Sequence, residues 1–138
     1  MKDQCVEQDV LSLEDIVLGF MRYCQICFEV KDFPLFSDPA WTYFLFCVIK
    51  ELGHELPRPL DVEFSIDSRG VFVLSAGECE NISCALNFTA CVDHQTNRMF
   101  LDIGGDSWGT KLGRRFPELA RDMFVLSRGF RGFAEVGV

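Results

Sequence analysis

The chain has 138 residues, 49% of them hydrophobic, and its 21 aspartates and glutamates outnumber 13 lysines and arginines, giving a net charge of −8. A chain of this length is expected to form a single domain over residues 1–138, with a core large enough to fold without disulfides or a metal ion. Its acidic body repels nucleic-acid backbones, which argues against DNA or RNA as a partner.

Nothing in the sequence indicates export or membrane insertion. No apolar run reaches the roughly 18 residues of a membrane span, and the acidic N-terminus lacks the hydrophobic block of a signal peptide. The seven cysteines are odd in number and irregularly spaced, unlike secreted disulfide frameworks. We therefore expect a cytoplasmic protein that has no contact with membranes.

Two N-terminal helices are predicted from apolar residues at helical spacing and from capping residues. The first covers Ser12–Val30, and Asp15 follows Ser12 at the spacing of a capping box. The second covers Pro39–Leu52, with Ser37 or Asp38 as its N-cap and proline at its first position. Its body, WTYFLFCVIKEL, is apolar almost all round, which predicts a helix buried on several sides or covered by a partner chain.

After the turn-rich segment His54–Pro59, the period of the apolar pattern changes from 3.6 to 2, which predicts strands. Four strands are expected, at Asp61–Asp67, Val71–Ala76, Ile82–Asp93 and Arg98–Ile103. The third has twelve alternating residues, a strong strand signal. Short connections between consecutive strands favour an antiparallel meander.

A C-terminal helix is predicted near Pro117–Ser127, since proline and an acidic residue open it. The predicted fold is therefore α+β: two N-terminal helices, a four-stranded mainly antiparallel meander and a C-terminal helix, with the helices mainly on one face of the sheet. Residues 1–11 and 129–138 are expected to be flexible tails unless they dock.

The glycine-rich stretch Gly104–Lys111, GGDSWGTK, resembles a phosphate-binding loop but departs from it. The loop pattern ends in Lys followed by Ser or Thr, whereas here Thr110 precedes Lys111. Too little chain follows to build the parallel sheet that carries such loops. We interpret the stretch as the exit from the last strand, and any anion bound there is expected to be held weakly by Arg114 and Arg115.

The CxxC formed by Cys24 and Cys27 lies on the first helix, on the side predicted to face the core. A zinc site needs two further ligands, and neither His54 nor His94 belongs to a second closely spaced pair. Core packing of the two thiols is the preferred interpretation. A metal site using Cys24, Cys27, His54 and His94 is the alternative, and no cofactor is predicted.

The function predicted from these features is non-enzymatic protein binding through an apolar helix or sheet face, as in an acidic adaptor, an inhibitor or a chaperone-like protein. The expected partner is another protein or a second copy of the chain, and homodimerisation is expected. The alternative is a ligand- or metal-binding domain, or an enzyme, with a pocket between sheet and helices. No catalytic residue is identified, and the predicted partner contacts are Trp41, Tyr43, Phe46, Asn87, Thr89, Arg114 and Arg115.

Overall fold

The structure is a computed structural model, and it describes residues 11–56, 58–85, 90–93, 95–96, 98–101, 116–130, 133 and 135–136. Over these residues the fold is α+β, with four α-helices and two antiparallel sheets. The helices are α1 (Leu13–Phe28), α2 (Pro39–Leu52), α3 (Ala76–Ala85) and α4 (Pro117–Ser127), and a 3-10 turn (Gly53–Glu55) follows α2. The strands are β1 (Val30–Pro34), β2 (Phe64–Ile66), β3 (Phe72–Leu74), β4 (Ala90–Asp93), β5 (Arg98–Leu101) and β6 (Glu135–Val136). None of the described helices is long and apolar enough to span a bilayer.

Three predicted helices are confirmed, and the caps read from the sequence explain where two of them begin. The Ser12 hydroxyl accepts the Asp15 N–H at 3.1 Å while the Asp15 carboxylate accepts the Ser12 N–H at 3.1 Å, which completes a capping box at α1. Asp38 caps α2 by accepting the Ala40 N–H at 2.8 Å. These signals are local, so they are visible in the sequence.

The single four-stranded meander is not what the structure contains. The larger sheet has the strand order β4-β5-β1-β6, and β2 and β3 form a separate hairpin. At the centre of the sheet is β1, in a segment for which no strand was predicted. The helix ends because Glu29 adopts the left-handed conformation (φ 53°) and sends its N–H back to the Cys24 carbonyl, which frees Val30 to start the strand.

The predicted strand Ile82–Asp93 is wrong in its first part, because Ile82 lies within α3. Ser75 starts this helix: its hydroxyl accepts the Glu78 N–H at 3.1 Å and its carbonyl accepts the Cys79 N–H at 3.0 Å. Ile82 is fully buried. The residues around it are small, and their alternating hydrophobicity is compatible with a helix as well as with a strand.

An aromatic cluster forms the centre of the core and joins distant parts of the chain. Its members are the fully or almost fully buried Phe20, Phe33, Trp41, Phe44 and Phe133. Phe133 lies 4.7 Å from Trp41 and 4.8 Å from Phe44 between ring centroids. Phe133 belongs to the segment predicted as a flexible tail, and the strand β6 that follows it pairs with β1, so this part of the tail is docked.

Candidate functional site

Helix α2 has apolar residues on two opposite sides, and the structure covers one side only. Trp41, Phe44 and Val48 are fully buried, whereas Tyr43 and Phe46 are 54% and 45% exposed. With Ile49, which is also exposed, these two residues recur every three positions and form one stripe along the helix. An almost all-apolar helix therefore presents large side chains to solvent.

The hairpin β2–β3 extends this stripe beyond the helix. The Phe46 and Phe64 rings lie 4.6 Å apart between centroids, which places β2 beside α2. Ile66 lies two residues after Phe64 on the same side of β2, and the antiparallel register places Phe72 opposite Ile66. Ile66 and Phe72 are 62% and 52% exposed. We call the exposed residues Tyr43, Phe46, Ile49, Ile66 and Phe72 the α2–hairpin surface.

The turn of the hairpin is held by Asp67, which makes the position of Ile66 and Phe72 well defined. The Asp67 Oδ1 atom accepts the N–H groups of Arg69 at 2.8 Å and Val71 at 3.0 Å. The Arg69 side chain also donates to Asp67, and this hydrogen bond is the main reason that the pKa of Asp67 lies below its usual value. Gly70 supplies the left-handed residue of the turn (φ 79°).

The structure separates the predicted partner contacts into three groups. Tyr43 and Phe46 lie on the α2–hairpin surface. Trp41 has no exposed surface and belongs to the aromatic cluster, so it supports the fold rather than a contact. The remaining predicted contacts lie outside the described residues, as does the stretch Gly104–Lys111; they are Asn87, Thr89, Arg114 and Arg115.

Sequence reasoning missed part of this surface. The sequence predicts Ile49 to be part of an apolar helix and Ile66 to be part of a strand, but it does not predict that either is a partner contact. Both patterns show that a residue is apolar, but they do not show whether a neighbouring element covers it. Only the position of the hairpin relative to α2 reveals that Ile66 and Phe72 project past the helix.

The predicted thiol and histidine ligands do not assemble among the described residues. Cys24 is fully buried while Cys27 is exposed, so only the first of them packs in the core. Burial, and secondarily the neighbouring Cys27, raises the pKa of the Cys24 thiol and favours its neutral form. His54 lies 3.9 Å from the Glu55 carboxylate, and His94 is not among the described residues. No group of three or more His, Cys, Asp or Glu side chains in the described chain is placed to hold a metal ion.

Among the clefts at the surface, two are lined by described residues that include several carboxylates. One, of about 410 Å³, lies between the 3-10 turn and the start of α4; its lining residues are Glu55, Phe116, Pro117, Glu118 and Leu119. The other, of about 290 Å³, lies between the start of the hairpin and α3; its lining residues are Asp61, Glu63, Gly77, Glu78 and Asn81. Neither is the pocket between sheet and helices that the ligand-binding alternative predicts.

Comparison with known proteins gives no match: no family model, no curated protein and no solved structure is similar to this chain. Within the described chain, other large apolar side chains are also exposed, at Ile26, Val92, Phe100 and Val125, but the α2–hairpin surface combines five of them from two elements that are in contact.

Proposed function

We propose that the protein is a non-enzymatic protein-binding module that acts through the α2–hairpin surface. The observation that carries this proposal is the continuity of five large exposed apolar side chains across two different elements, joined by the contact between Phe46 and Phe64. Single exposed apolar residues are ordinary on protein surfaces, but contiguous apolar patches mark sites of interaction. The role fits an adaptor, an inhibitor or a chaperone-like protein.

The composition of the surface supports a protein as its occupant. Aromatic residues are enriched in protein–protein interfaces, and Tyr43, Phe46 and Phe72 provide three rings. Removing apolar surface from water contributes about 25 cal/mol per Å², so covering these rings is favourable for any complementary partner. Ligand pockets for small molecules are concave, whereas a row of exposed side chains along a helix and a hairpin suits another protein surface.

The occupant we favour is a different protein rather than a second copy of this chain. Each copy of the chain carries a net charge of −8, so two copies repel each other as they approach. A partner of opposite charge is instead attracted to the chain. A second copy is the outcome that the experiment below distinguishes.

The test compares two double variants that remove similar amounts of exposed apolar surface from different places. Phe46→Ser with Ile66→Ser alters the α2–hairpin surface. Ile26→Ser with Val125→Ser is the matched control, because these residues are 61% and 62% exposed on α1 and α4. Each variant is used as bait in quantitative affinity capture from native lysate, and circular dichroism verifies that both are folded.

We expect the unmodified chain and the control to capture the same protein in similar amounts. The surface variant should capture about tenfold less of it, or less still. Equal capture by both variants contradicts the proposal. Sedimentation of the purified chain is measured in parallel. If it forms a dimer that only Phe46→Ser with Ile66→Ser dissociates, the occupant is a second copy.

A further inference from the structure

The β2–β3 hairpin has a strand edge that no other described strand pairs with, and hydrogen bonds reveal which backbone groups lie on it. The Ser75 N–H donates to the Glu63 carbonyl at 3.0 Å, and the Asp67 N–H donates to the Val71 carbonyl at 2.9 Å. In antiparallel strands, hydrogen-bonded and non-hydrogen-bonded pairs alternate. The bonded positions in β2 and directly beside it are thus 63, 65 and 67. Phe64 and Ile66 direct their N–H and C=O groups away from β3.

Among the described residues, no strand pairs with that outer edge of β2. The sheet formed by β2 and β3 has two strands only, and isolated two-stranded hairpins are marginally stable. Unpaired N–H and C=O groups along a strand edge are a template for another strand. The edge therefore offers directional hydrogen bonds beside an apolar surface.

The two faces of the hairpin differ in chemistry, which specifies what a strand added there would have to carry. Phe64 and Ile66 point to the face that contacts α2 at Phe46. Asp61 and Glu63 alternate with them and line the acidic cleft on the other face. Neither Asp61 nor Glu63 forms an ion pair with any of the described lysines and arginines.

We propose that the protein's partner docks as an extended segment that pairs with the outer edge of β2, its apolar side chains facing Phe46 and its alternate, basic side chains facing Asp61 and Glu63. This inference rests on the proposed function and names the form and the charge of the partner. An alternating apolar and basic segment matches three features at once: the backbone edge that no described strand covers, the exposed apolar side chains and the carboxylates of Asp61 and Glu63. Strand addition at a sheet edge derives its affinity from backbone bonds and its specificity from alternate side chains.

The probe is a labelled synthetic peptide of about nine residues, the length of a long strand, in which valine and lysine alternate. One comparison peptide replaces lysine by glutamate, and another has the same valines and lysines in two blocks, so that the period of two is lost. Binding to the full chain is measured by fluorescence anisotropy. We expect the alternating valine–lysine peptide to bind about tenfold or more tightly than either comparison peptide.

The variants separate the backbone edge from the side chains. Ile66→Pro removes the outward N–H, and proline is tolerated in that orientation on an edge strand, whereas Ile66→Val keeps the N–H and a branched apolar side chain. We expect Ile66→Pro to weaken binding about tenfold and Ile66→Val to leave it nearly unchanged. Amide hydrogen exchange gives an independent readout: on binding, the Phe64 and Ile66 amides should become protected, while the Ser65 amide is already protected by β3.

Two further double variants test whether the Asp61 and Glu63 carboxylates attract the basic side chains of the peptide. Asp61→Asn with Glu63→Gln should weaken binding several-fold and reduce its salt dependence. Glu14→Gln with Glu29→Gln changes the net charge equally at residues that line neither the hairpin edge nor either acidic cleft, and should leave binding unchanged. An equal effect of the two pairs means that net charge alone attracts the peptide, and overturns the inference.

The inference is also overturned if none of the peptides binds, if the block peptide binds as well as the alternating one, or if Ile66→Pro binds like Ile66→Val. The proposed function survives these results when Phe46→Ser with Ile66→Ser still abolishes capture of the natural partner, because the surface then binds it in another geometry. If that double variant also has no effect, both proposals fail.

Discussion

The indole Nε1 of Trp41 donates a hydrogen bond to the Pro34 carbonyl across 2.9 Å, which ties the first turn of α2 to the end of β1. Both groups are buried, so the carbonyl has no access to water as a substitute. Trp41 thus positions α2 from inside, while Tyr43 and Phe46 occupy its other side. The same helix serves the core and the α2–hairpin surface.

Trp41→Phe should lower the free energy of unfolding by about 2–3 kcal/mol, since it leaves the Pro34 carbonyl without a donor and a cavity beside Phe133. Urea denaturation measures the change. Tyr43→Phe is the control on the exposed side of α2, and we expect it to change stability by less than about 0.5 kcal/mol. A loss of equal size in the two variants would contradict the assignment of Trp41 to the core.

Thr42→Val should stabilise the protein by about 1 kcal/mol. Thr42 is fully buried, and its hydroxyl oxygen has no hydrogen-bond partner among the described residues. A buried hydroxyl without a partner carries a desolvation penalty, which a methyl group of nearly the same size avoids. Thermal unfolding compares Thr42→Val with Thr42→Ser, which keeps the hydroxyl. A lower melting temperature for the valine variant than for the parent chain would count against this prediction.

Glu29→Gly should raise the free energy of unfolding by up to about 1 kcal/mol. Glu29 has a left-handed backbone (φ 53°), which costs a residue with a side chain roughly 1–2 kcal/mol and costs glycine almost nothing. Part of the stability gained is lost again, because glycine raises the conformational entropy of the unfolded chain. Glu29→Ala is the control, because it removes the same charge without relieving the strain. If the free energy of unfolding rises equally in both variants, loss of the charge explains the increase and relief of backbone strain does not.

Glu55→Gln should make stability less dependent on pH. Burial, and then a hydrogen bond to the Asp122 carboxyl group on α4, raises the pKa of Glu55. A raised pKa means that the folded chain binds this proton more tightly than the unfolded chain. The stability that it contributes is therefore fully present below the unfolded pKa of about 4.3, and is lost as pH rises through the folded pKa.

In urea denaturation from about pH 4 to about pH 7, the parent chain should lose more stability than Glu55→Gln, whose amide can donate to Asp122 throughout. Glu51→Gln, at an exposed position on α2, should follow the parent profile. The explanation is wrong if Glu55→Gln retains the full slope of the parent chain.

The elements that sequence analysis predicted correctly are those whose signals are local. The Ser12 box, the Asp38 cap and the proline that opens α4 each lie within a few residues of the structure they start. By contrast, β1 is a strand because β5 and β6 pair with it, and these partners are distant in sequence. Periodicity carries no information about such pairing.

The candidate surface was predictable only in part, for a similar reason. The apolar character of Tyr43 and Phe46 is plain in the sequence, and so is that of Trp41 in the same segment. Which of the three is buried depends on where β1 and Phe133 contact α2, and the sequence pattern is nearly the same on both sides of this helix.

The location of Phe133 in the aromatic cluster also has a consequence for folding during synthesis on the ribosome. Phe20, Trp41 and Phe44 are synthesised early, but the ring that packs against all three emerges only after the residues of α4. Until then the core of the nascent chain is incomplete and its aromatic side chains are exposed. Contacts between residues that are far apart in sequence also form slowly. The core of this domain is therefore expected to close only after Phe133 has left the ribosome, and until then its exposed aromatic side chains are a binding site for chaperones.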